Sequence, residues 1–200
     1  MSSALTTGSI SYAQTYGQRP DKGKVGMACL ILAESALFII FVVAYVYYIG
    51  RSLSGPTPRE VLHIPVLATI CLLSSSWTVH AATSALRKGS SVGAGLWLVA
   101  TLLLGTIFLG FTAYEWYDLI ANKHLTIQTN LFGTTFYSLV GLHATHVIVG
   151  LLLLTLPAFF GLVGDLHEAH QARLETLSYY WHFVDAVWIV VLSTVYIFGR

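Results

Sequence analysis

Long apolar runs separated by short polar stretches make up most of this 200-residue chain. A helix that crosses a membrane needs about 20 consecutive, mostly apolar residues. The chain contains five such runs, at residues 24–49, 62–86, 92–117, 131–162 and 176–198. The pattern therefore predicts an all-α fold, an integral membrane bundle of five transmembrane helices, which we number as spans one to five.

The stretches between the predicted spans are short and leave no room for a soluble domain. Residues 1–23 are mostly polar and form a predicted N-terminal tail, while residues 24–200 form the predicted five-helix domain. The tail lacks the basic-then-apolar order of a cleavable signal peptide. Any function is therefore expected inside the helix bundle or at its two rims.

Composition supports the membrane assignment and argues against some classes of function. Hydrophobic residues make up 56% of the chain and charged residues only 10%, whereas soluble domains carry about 25% charged residues. A net charge of +1 implies no nucleic-acid partner. Cys29 and Cys71 stand alone in different spans, which indicates neither a CxxC metal site nor a disulfide framework.

Basic residues are distributed unevenly between the two sides of the membrane. The side that carries the N-terminus has six of them and the opposite side has four. By the positive-inside rule, this predicts a cytoplasmic N-terminus and an external or periplasmic C-terminus. The six are Arg19, Lys22, Lys24, Arg87, Lys88 and Arg173, and the four are Arg51, Arg59, Lys123 and Arg200.

Glu34 is an acidic residue in the middle of the first span. It follows Lys24 by ten residues, which places it about 15 Å into an apolar layer of about 30 Å. A charge at that depth costs about 2.5 to 3.5 kcal/mol on insertion scales. We therefore expect Glu34 to be protonated, to be paired, or to face a polar cavity or a lipid headgroup.

Two pairs of polar residues lie three positions apart inside later spans. His143 and His146 share one face of the fourth span, and His182 and Asp185 share one face of the fifth. For the first pair we favour packed, hydrogen-bonded histidines over ligands to a metal or a haem. For the second pair we expect a hydrogen bond or a shared proton between imidazole and carboxyl. The two polar faces are expected to meet.

The residues alone leave three functions open. Two histidines on facing helices could ligate a haem and carry electrons. The acidic groups Glu34, Glu115 and Asp185 could relay protons or ions. Alternatively, the buried polar groups could hold together a non-catalytic membrane subunit that meets a partner or a lipid. The candidate haem ligands are His80, His143, His146 and His182.

Four stretches of the chain carry a more specific signal. They are "AESALFIIFVVAY", "AYEW", "FYSLVGLHATHVIVGLLLL" and "YYWHFVDAVWIVVLSTVYIFGR". In this order and with these gaps, they resemble subunit III of the haem-copper terminal oxidases. The resemblance extends from Arg19 to Arg200, and the two histidine-containing stretches together are highly specific.

The resemblance implies a supporting role in a proton-translocating respiratory enzyme. In that family the catalytic subunit holds the haems and copper, and subunit III binds no redox centre. We therefore expect no catalytic residue, metal or cofactor in this chain. Family members form a V whose cleft holds phospholipid, stand beside subunit I near a proton-uptake route, and help it survive repeated turnover. The implied partners are subunit I, other oxidase subunits and phospholipids, and membership of a respiratory supercomplex is left open.

Transferred residue by residue, the resemblance implies two groups of site residues. Glu34 matches the family's membrane-embedded glutamate and His146 the second histidine of its "GxHxxH" motif, and both are expected to be lipid-binding or proton-related. The other matches are expected to form a structural polar network. They are His80, Glu115, His143, Glu175, His182, Asp185 and Trp188.

The chain differs from the longest family members in two features. Those members have seven helices, and the five spans here resemble the form found in many bacterial oxidases, where a neighbouring subunit can supply the missing arm. The implied location is the bacterial inner membrane. The stretch "LPAFFGLVGDLHE" has no arginine where longer members offer one to a lipid phosphate, so that contact is not carried over. The expected complex is an aa3-type cytochrome c oxidase, and a quinol oxidase is the alternative.

Overall fold

The computed structural model describes residues 22–51, 55–167 and 170–199 of the chain. Most of the predicted N-terminal tail, residues 1–21, lies outside these ranges, as does Arg200. The described regular secondary structure consists of helices, which are α1 (Lys22–Tyr48), the one-turn α2 (Pro58–Val61), α3 (Val66–Arg87), α4 (Ser91–Ala121), α5 (Leu131–Val163) and α6 (Gln171–Val191), which continues as a π-helix, Leu192–Phe198.

Five helices of the described chain are long and apolar enough to cross a membrane. They are α1, α3, α4, α5, and α6 together with the π-helix. The predicted all-α bundle of five spans is therefore confirmed. Several helices extend beyond the predicted apolar runs, because polar residues are tolerated where a helix end reaches the membrane surface. Thus α4 continues to Ala121 instead of residue 117, and α6 begins at Gln171 instead of residue 176.

Local capping interactions determine where two of the long helices begin. The Ser90 hydroxyl accepts a hydrogen bond from the Gly93 amide at 3.2 Å, and the Asn130 side-chain oxygen accepts one from the Gly133 amide at 2.7 Å. Each bond satisfies an amide that has no partner within its own helix. These caps define the start of α4 and of α5.

Helix α6 packs against α1, α3 and α5. Helix α4 packs against α3 and α5. Helix α1 lies at the outside, where Phe38 and Tyr45 are its buried residues and many of its other apolar side chains are exposed. In a membrane, those exposed side chains meet lipid or another protein, so α1 forms one outer wall of the bundle.

Two glycine contacts bring helices unusually close together. A β-carbon on Gly95 of α4 would lie 2.5 Å from the Leu162 amide nitrogen of α5. A β-carbon on Gly150 of α5 would lie 2.8 Å from the ring of Trp181 on α6. Small residues allow such close packing between membrane helices. The short distances keep α5 tightly against α4 and α6.

Candidate functional site

A cluster of charged residues marks one rim of the bundle and provides a reference for depth. Glu175 of α6 bonds Arg87 of α3 at 2.8 Å and Lys24 of α1 at 3.2 Å. Because the cluster ties three helices together at one level, helical rise gives the depth of other residues. Glu34 lies ten residues from Lys24, and Asp185 lies ten residues from Glu175. Both are therefore about 15 Å below the rim, near the middle of the apolar layer.

Glu34 and His146 form an ion-pair or hydrogen-bond contact between α1 and α5. The His146 Nε2 atom lies 3.1 Å from the Glu34 carboxyl, and its Nδ1 atom lies 2.8 Å from the Leu142 carbonyl oxygen. Of the expected environments for Glu34, the structure shows pairing. The Glu34 side chain is 27% exposed and that of His146 is 13% exposed, so the pair lies at the surface of the bundle and is not sealed inside it.

The geometry of this pair determines how many protons its hydrogen bonds require. A carbonyl oxygen only accepts hydrogen bonds, so the Nδ1 atom of His146 must carry a proton and donate it to Leu142. A hydrogen bond between Nε2 and the carboxyl then needs one further proton, which is held either by Glu34 or by the imidazole. The pair therefore shares one proton at mid-membrane depth.

His182 and Asp185 are joined through a third residue, Ser76 of α3. The Ser76 hydroxyl donates a short hydrogen bond to the Asp185 carboxyl and lies 3.0 Å from the Nδ1 atom of His182. Since this hydroxyl has one proton to donate, it accepts the bond from His182. The structure shows this bridge where the sequence predicted a direct bond between the two. The reason is that both side chains point towards α3.

His143 is enclosed by aromatic rings and is completely buried. Its ring stacks on Trp188 of α6, with centroids 5.0 Å apart and an interplanar angle of 29°, and meets Phe108 of α4 edge-on at 5.8 Å. Neither nitrogen of its ring hydrogen-bonds another described residue. The prediction that the polar faces of α5 and α6 meet is therefore wrong, because His182 and Asp185 face α3 and His143 stacks on Trp188 instead.

Glu115 of α4 bonds a tyrosine inside the bundle. The Tyr196 hydroxyl donates to its carboxyl at 2.9 Å. The sequence placed Glu115 near the membrane surface, but its half-buried side chain is tied to the π-helix that follows α6. His80 differs from the other polar residues because it is exposed on α3.

The structure therefore divides the residues identified from the sequence among separate clusters. Glu34 and His146 join α1 to α5, His182 and Asp185 join α6 to α3, and Glu115 bonds the π-helix. Within the described ranges, no group of three or more His, Cys, Asp or Glu side chains is arranged to hold a metal ion.

The sequence reasoning missed the hydroxyl partners on α3. Ser76 bridges the α6 pair, the Ser75 hydroxyl accepts a bond from the Trp181 indole at 2.9 Å, and the Thr69 hydroxyl accepts one from Trp188 at 3.2 Å. The available signal was the run "SSS" at residues 74–76, in the middle of an apolar span. Adjacent hydroxyls at that depth indicate a helix face that hydrogen-bonds to a neighbouring helix.

A cavity of about 450 Å³ lies between the end of α5 and the start of α6. Leucine side chains, Pro157 and Phe160 form much of its wall, and His170, Arg173 and Asp165 supply polar groups. Asp165 also contacts His167 at 3.2 Å. The cavity therefore combines apolar walls with the cationic side chain of Arg173 near the rim marked by Glu175.

The fold and these clusters define a multi-pass membrane protein with ionisable side chains paired inside the apolar layer. The family model for cytochrome c oxidase subunit III matches residues 11–200 of the chain. The chain therefore belongs to the subunit III family of the haem-copper oxidases. Membership implies association with other oxidase subunits, such as subunit I.

Relatives from three bacterial groups are similar over most of their length. A cytochrome c oxidase subunit 3 from Synechocystis sp. is 35% identical over 89% of this chain and 76% of its own length. One from Alkalihalophilus pseudofirmus is 31% identical over 83% of this chain and 82% of its own length. A probable cytochrome c oxidase subunit 3 from Nocardia farcinica is 30% identical over 98% of both chains.

Proposed function

We propose that this chain supports the catalytic subunit of an aa3-type cytochrome c oxidase, by holding phospholipid and by sustaining proton uptake during repeated turnover. In this proposal the chain holds no redox centre of its own, and the haems and copper belong to partner subunits. The observation that carries the proposal is the contact between Glu34 and His146 at mid-membrane depth, on a partly exposed surface. A proton held there is accessible to a neighbouring subunit or lipid.

The contacts of the histidines support a role without a redox centre in this chain. The His143 ring is enclosed by Trp188 and Phe108, and both nitrogens of His146 already have partners. Ligation of a haem by either histidine would disrupt these contacts. A supporting subunit therefore accounts for the histidines more simply than a bis-histidine electron carrier does.

The separation of the acidic groups favours a supporting subunit over an independent proton conductor. Glu34 contacts α5, Asp185 contacts α3, and Glu115 contacts Tyr196. No continuous series of hydrogen bonds connects these three groups through the described part of the chain. We therefore assign proton movement to the catalytic subunit, with Glu34 and His146 at the boundary between that subunit and this chain.

The cavity between α5 and α6 supports the phospholipid part of the proposal. Leu153, Leu156 and Leu177 line it and suit acyl chains, and Arg173 and His170 can bond a phosphate oxygen. Arg173 comes from α6 and not from the "LPAFFGLVGDLHE" stretch, which has no arginine. A second element can thus provide the cation that this stretch lacks.

Two further features of the proposal come from the relatives and from the charge distribution. The relatives named above are cytochrome c oxidase subunits, which favours cytochrome c over quinol as the electron donor of the complex. Lys24 and Arg87 lie together at one rim, which favours a cytoplasmic location for that rim and hence for the N-terminus. The bacterial inner membrane is the corresponding location.

The decisive experiment compares the oxidase with and without this chain at matched haem content. Oxygen consumption is followed over time, with reduced cytochrome c or quinol as the electron donor. We expect equal initial rates and a shorter active lifetime without the chain, because the proposal places every redox ligand in partner subunits. Immediate loss of all activity with haem still bound would contradict a supporting role. If only quinol supports oxygen consumption, then quinol and not cytochrome c is the electron donor.

A further inference from the structure

The outer face of α3 carries polar and aromatic side chains at a depth where lipid offers only hydrocarbon. His80 is exposed and lies seven residues from Arg87, which places it about 10 Å below the rim. Trp77 is 64% exposed and lies ten residues from Arg87, or about 15 Å below it. Tryptophan facing lipid is usually found near the headgroups, so both side chains are unusual for a lipid-facing surface.

His80 lies at the exposed end of a polar stripe that begins inside the bundle. Asp185 is 4% exposed and bonds Ser76, whose hydroxyl contacts the half-buried His182. His80 is one helical turn from Ser76 on the same face of α3. The stripe therefore passes from the core of the bundle to its surface while rising by about one helical turn towards the rim.

Three exposed threonines of the bundle satisfy their hydrogen bonds within their own helix. The hydroxyls of Thr106, Thr145 and Thr155 each bond the backbone carbonyl four residues earlier. Such side chains can face lipid, because no group is left without a partner. The His80 imidazole makes no hydrogen bond to any other described residue, so its partner must come from outside the described part of the chain.

The nature of that partner follows from depth and chemistry. Lipid tails have no hydrogen-bonding groups, and the headgroups lie about 10 Å away along α3. A membrane-spanning helix can offer a polar side chain at the required level and can also pack against an exposed tryptophan, a residue type enriched in protein interfaces. Association with other oxidase subunits supplies a partner of this kind.

We propose that the outer face of α3, centred on Trp77 and His80, docks against a membrane-spanning helix of another oxidase subunit, which hydrogen-bonds His80. The proposal rests on the assignment of this chain to an oxidase complex. It does not depend on whether the chain prolongs activity or holds phospholipid.

Photo-crosslinking of the intact oxidase in its native membrane tests this face. A benzophenone-bearing amino acid replaces Trp77 in one variant and Leu152 of α5 in the other. Leu152 is a suitable control because it is 68% exposed and lies 11 residues from the end of α5. We expect the Trp77 variant to crosslink to another oxidase subunit and the Leu152 variant to crosslink mainly to lipid. Crosslinks from position 77 only to lipid, or to a second copy of this chain, would overturn the proposal.

Substitution of His80 tests the hydrogen bond. We expect His80→Leu to raise the dissociation constant of the chain from the complex by roughly three- to fifteenfold, the range that intramembrane hydrogen bonds supply. His80→Gln should restore much of the affinity, because an amide can still hydrogen-bond. Thr155→Leu is the control on α5, since Thr155 is exposed and bonds its own helix. Equal weakening by His80→Leu and Thr155→Leu would contradict the specific contact.

The two proposals fail in distinguishable ways. Crosslinking and dissociation report where the chain docks, whereas the activity lifetime reports what it does there. A crosslink from position 77 combined with an unchanged lifetime after removal of the chain would refute the supporting function and leave the docking face in place. A shortened lifetime with no protein crosslink at position 77 would refute the docking face and leave the supporting function in place.

Discussion

Ser76 of α3 donates a hydrogen bond to Asp185 of α6, and the same hydroxyl contacts His182. One small side chain thus serves two ionisable residues near the middle of the membrane. The bridge connects α3 to α6, which also packs against α1 and α5. Its removal should therefore loosen the packing of the helices.

The first prediction concerns this bridge. Ser76→Ala should destabilise the bundle by about 0.6 to 1.7 kcal/mol, the average and the largest values for hydrogen bonds inside membranes. Ser74→Ala is the control, because the Ser74 hydroxyl bonds the Cys71 carbonyl of its own helix. Unfolding of the purified chain in mixed detergent measures the stability of both variants. Equal stability of the two variants would show that the bridge contributes little.

The second prediction concerns the contact between α4 and α5. Gly95→Ala should destabilise the bundle by about 1 to 3 kcal/mol, the usual cost of overpacking, because the new methyl group would meet the backbone of α5. Gly110→Ala on the same helix should be neutral or slightly stabilising, since no atom lies within 4 Å of the position of the new methyl group. Thermal unfolding of the two variants compares them directly. A tolerated Gly95→Ala would mean that the helices can separate at no cost.

The third prediction distinguishes a proton-holding role of Glu34 from a packing role. Glu34→Gln keeps a group that can bond His146 but removes the carboxyl that shares the proton. We expect it to shorten the active lifetime of the oxidase about as much as Glu34→Ala does, and both to act more weakly than removal of the whole chain. Initial oxygen consumption should be unchanged. If Glu34→Gln instead has the lifetime of the unaltered enzyme, the pair contributes packing and not proton storage.

The fourth prediction concerns the cavity between α5 and α6. Arg173→Ala should lower the phospholipid content of the purified oxidase, because it removes a cation that can bond a phosphate group. Lys88→Ala provides the comparison, since Lys88 is an exposed basic residue at the same rim that does not line the cavity. Phosphorus per haem, with mass spectrometry of the bound lipids, measures the effect. The same loss in both variants would indicate a general effect of surface charge.

The sequence by itself determined the class of fold, the number of membrane spans and the residues of interest. Apolar runs of about 20 residues have few alternatives to membrane helices, because the membrane interior forces backbone groups to bond within a helix. The ionisable residues within these runs were evident for the same reason, since each is costly there. The spacing of His143 and His146, and of His182 and Asp185, also placed each pair on one helix face.

The partners of these residues were decided by the tertiary structure. Helical spacing gives the direction of a side chain relative to its own helix but not the neighbouring helix that it meets. His146 meets Glu34 of α1, while His143, three residues earlier, is enclosed by Trp188 and Phe108. Ser76 became the link between His182 and Asp185 only because α3 packs against α6 at that depth. Such pairings depend on how five helices of similar hydrophobicity pack together, and that packing follows from shape and close contact between residues far apart in the sequence.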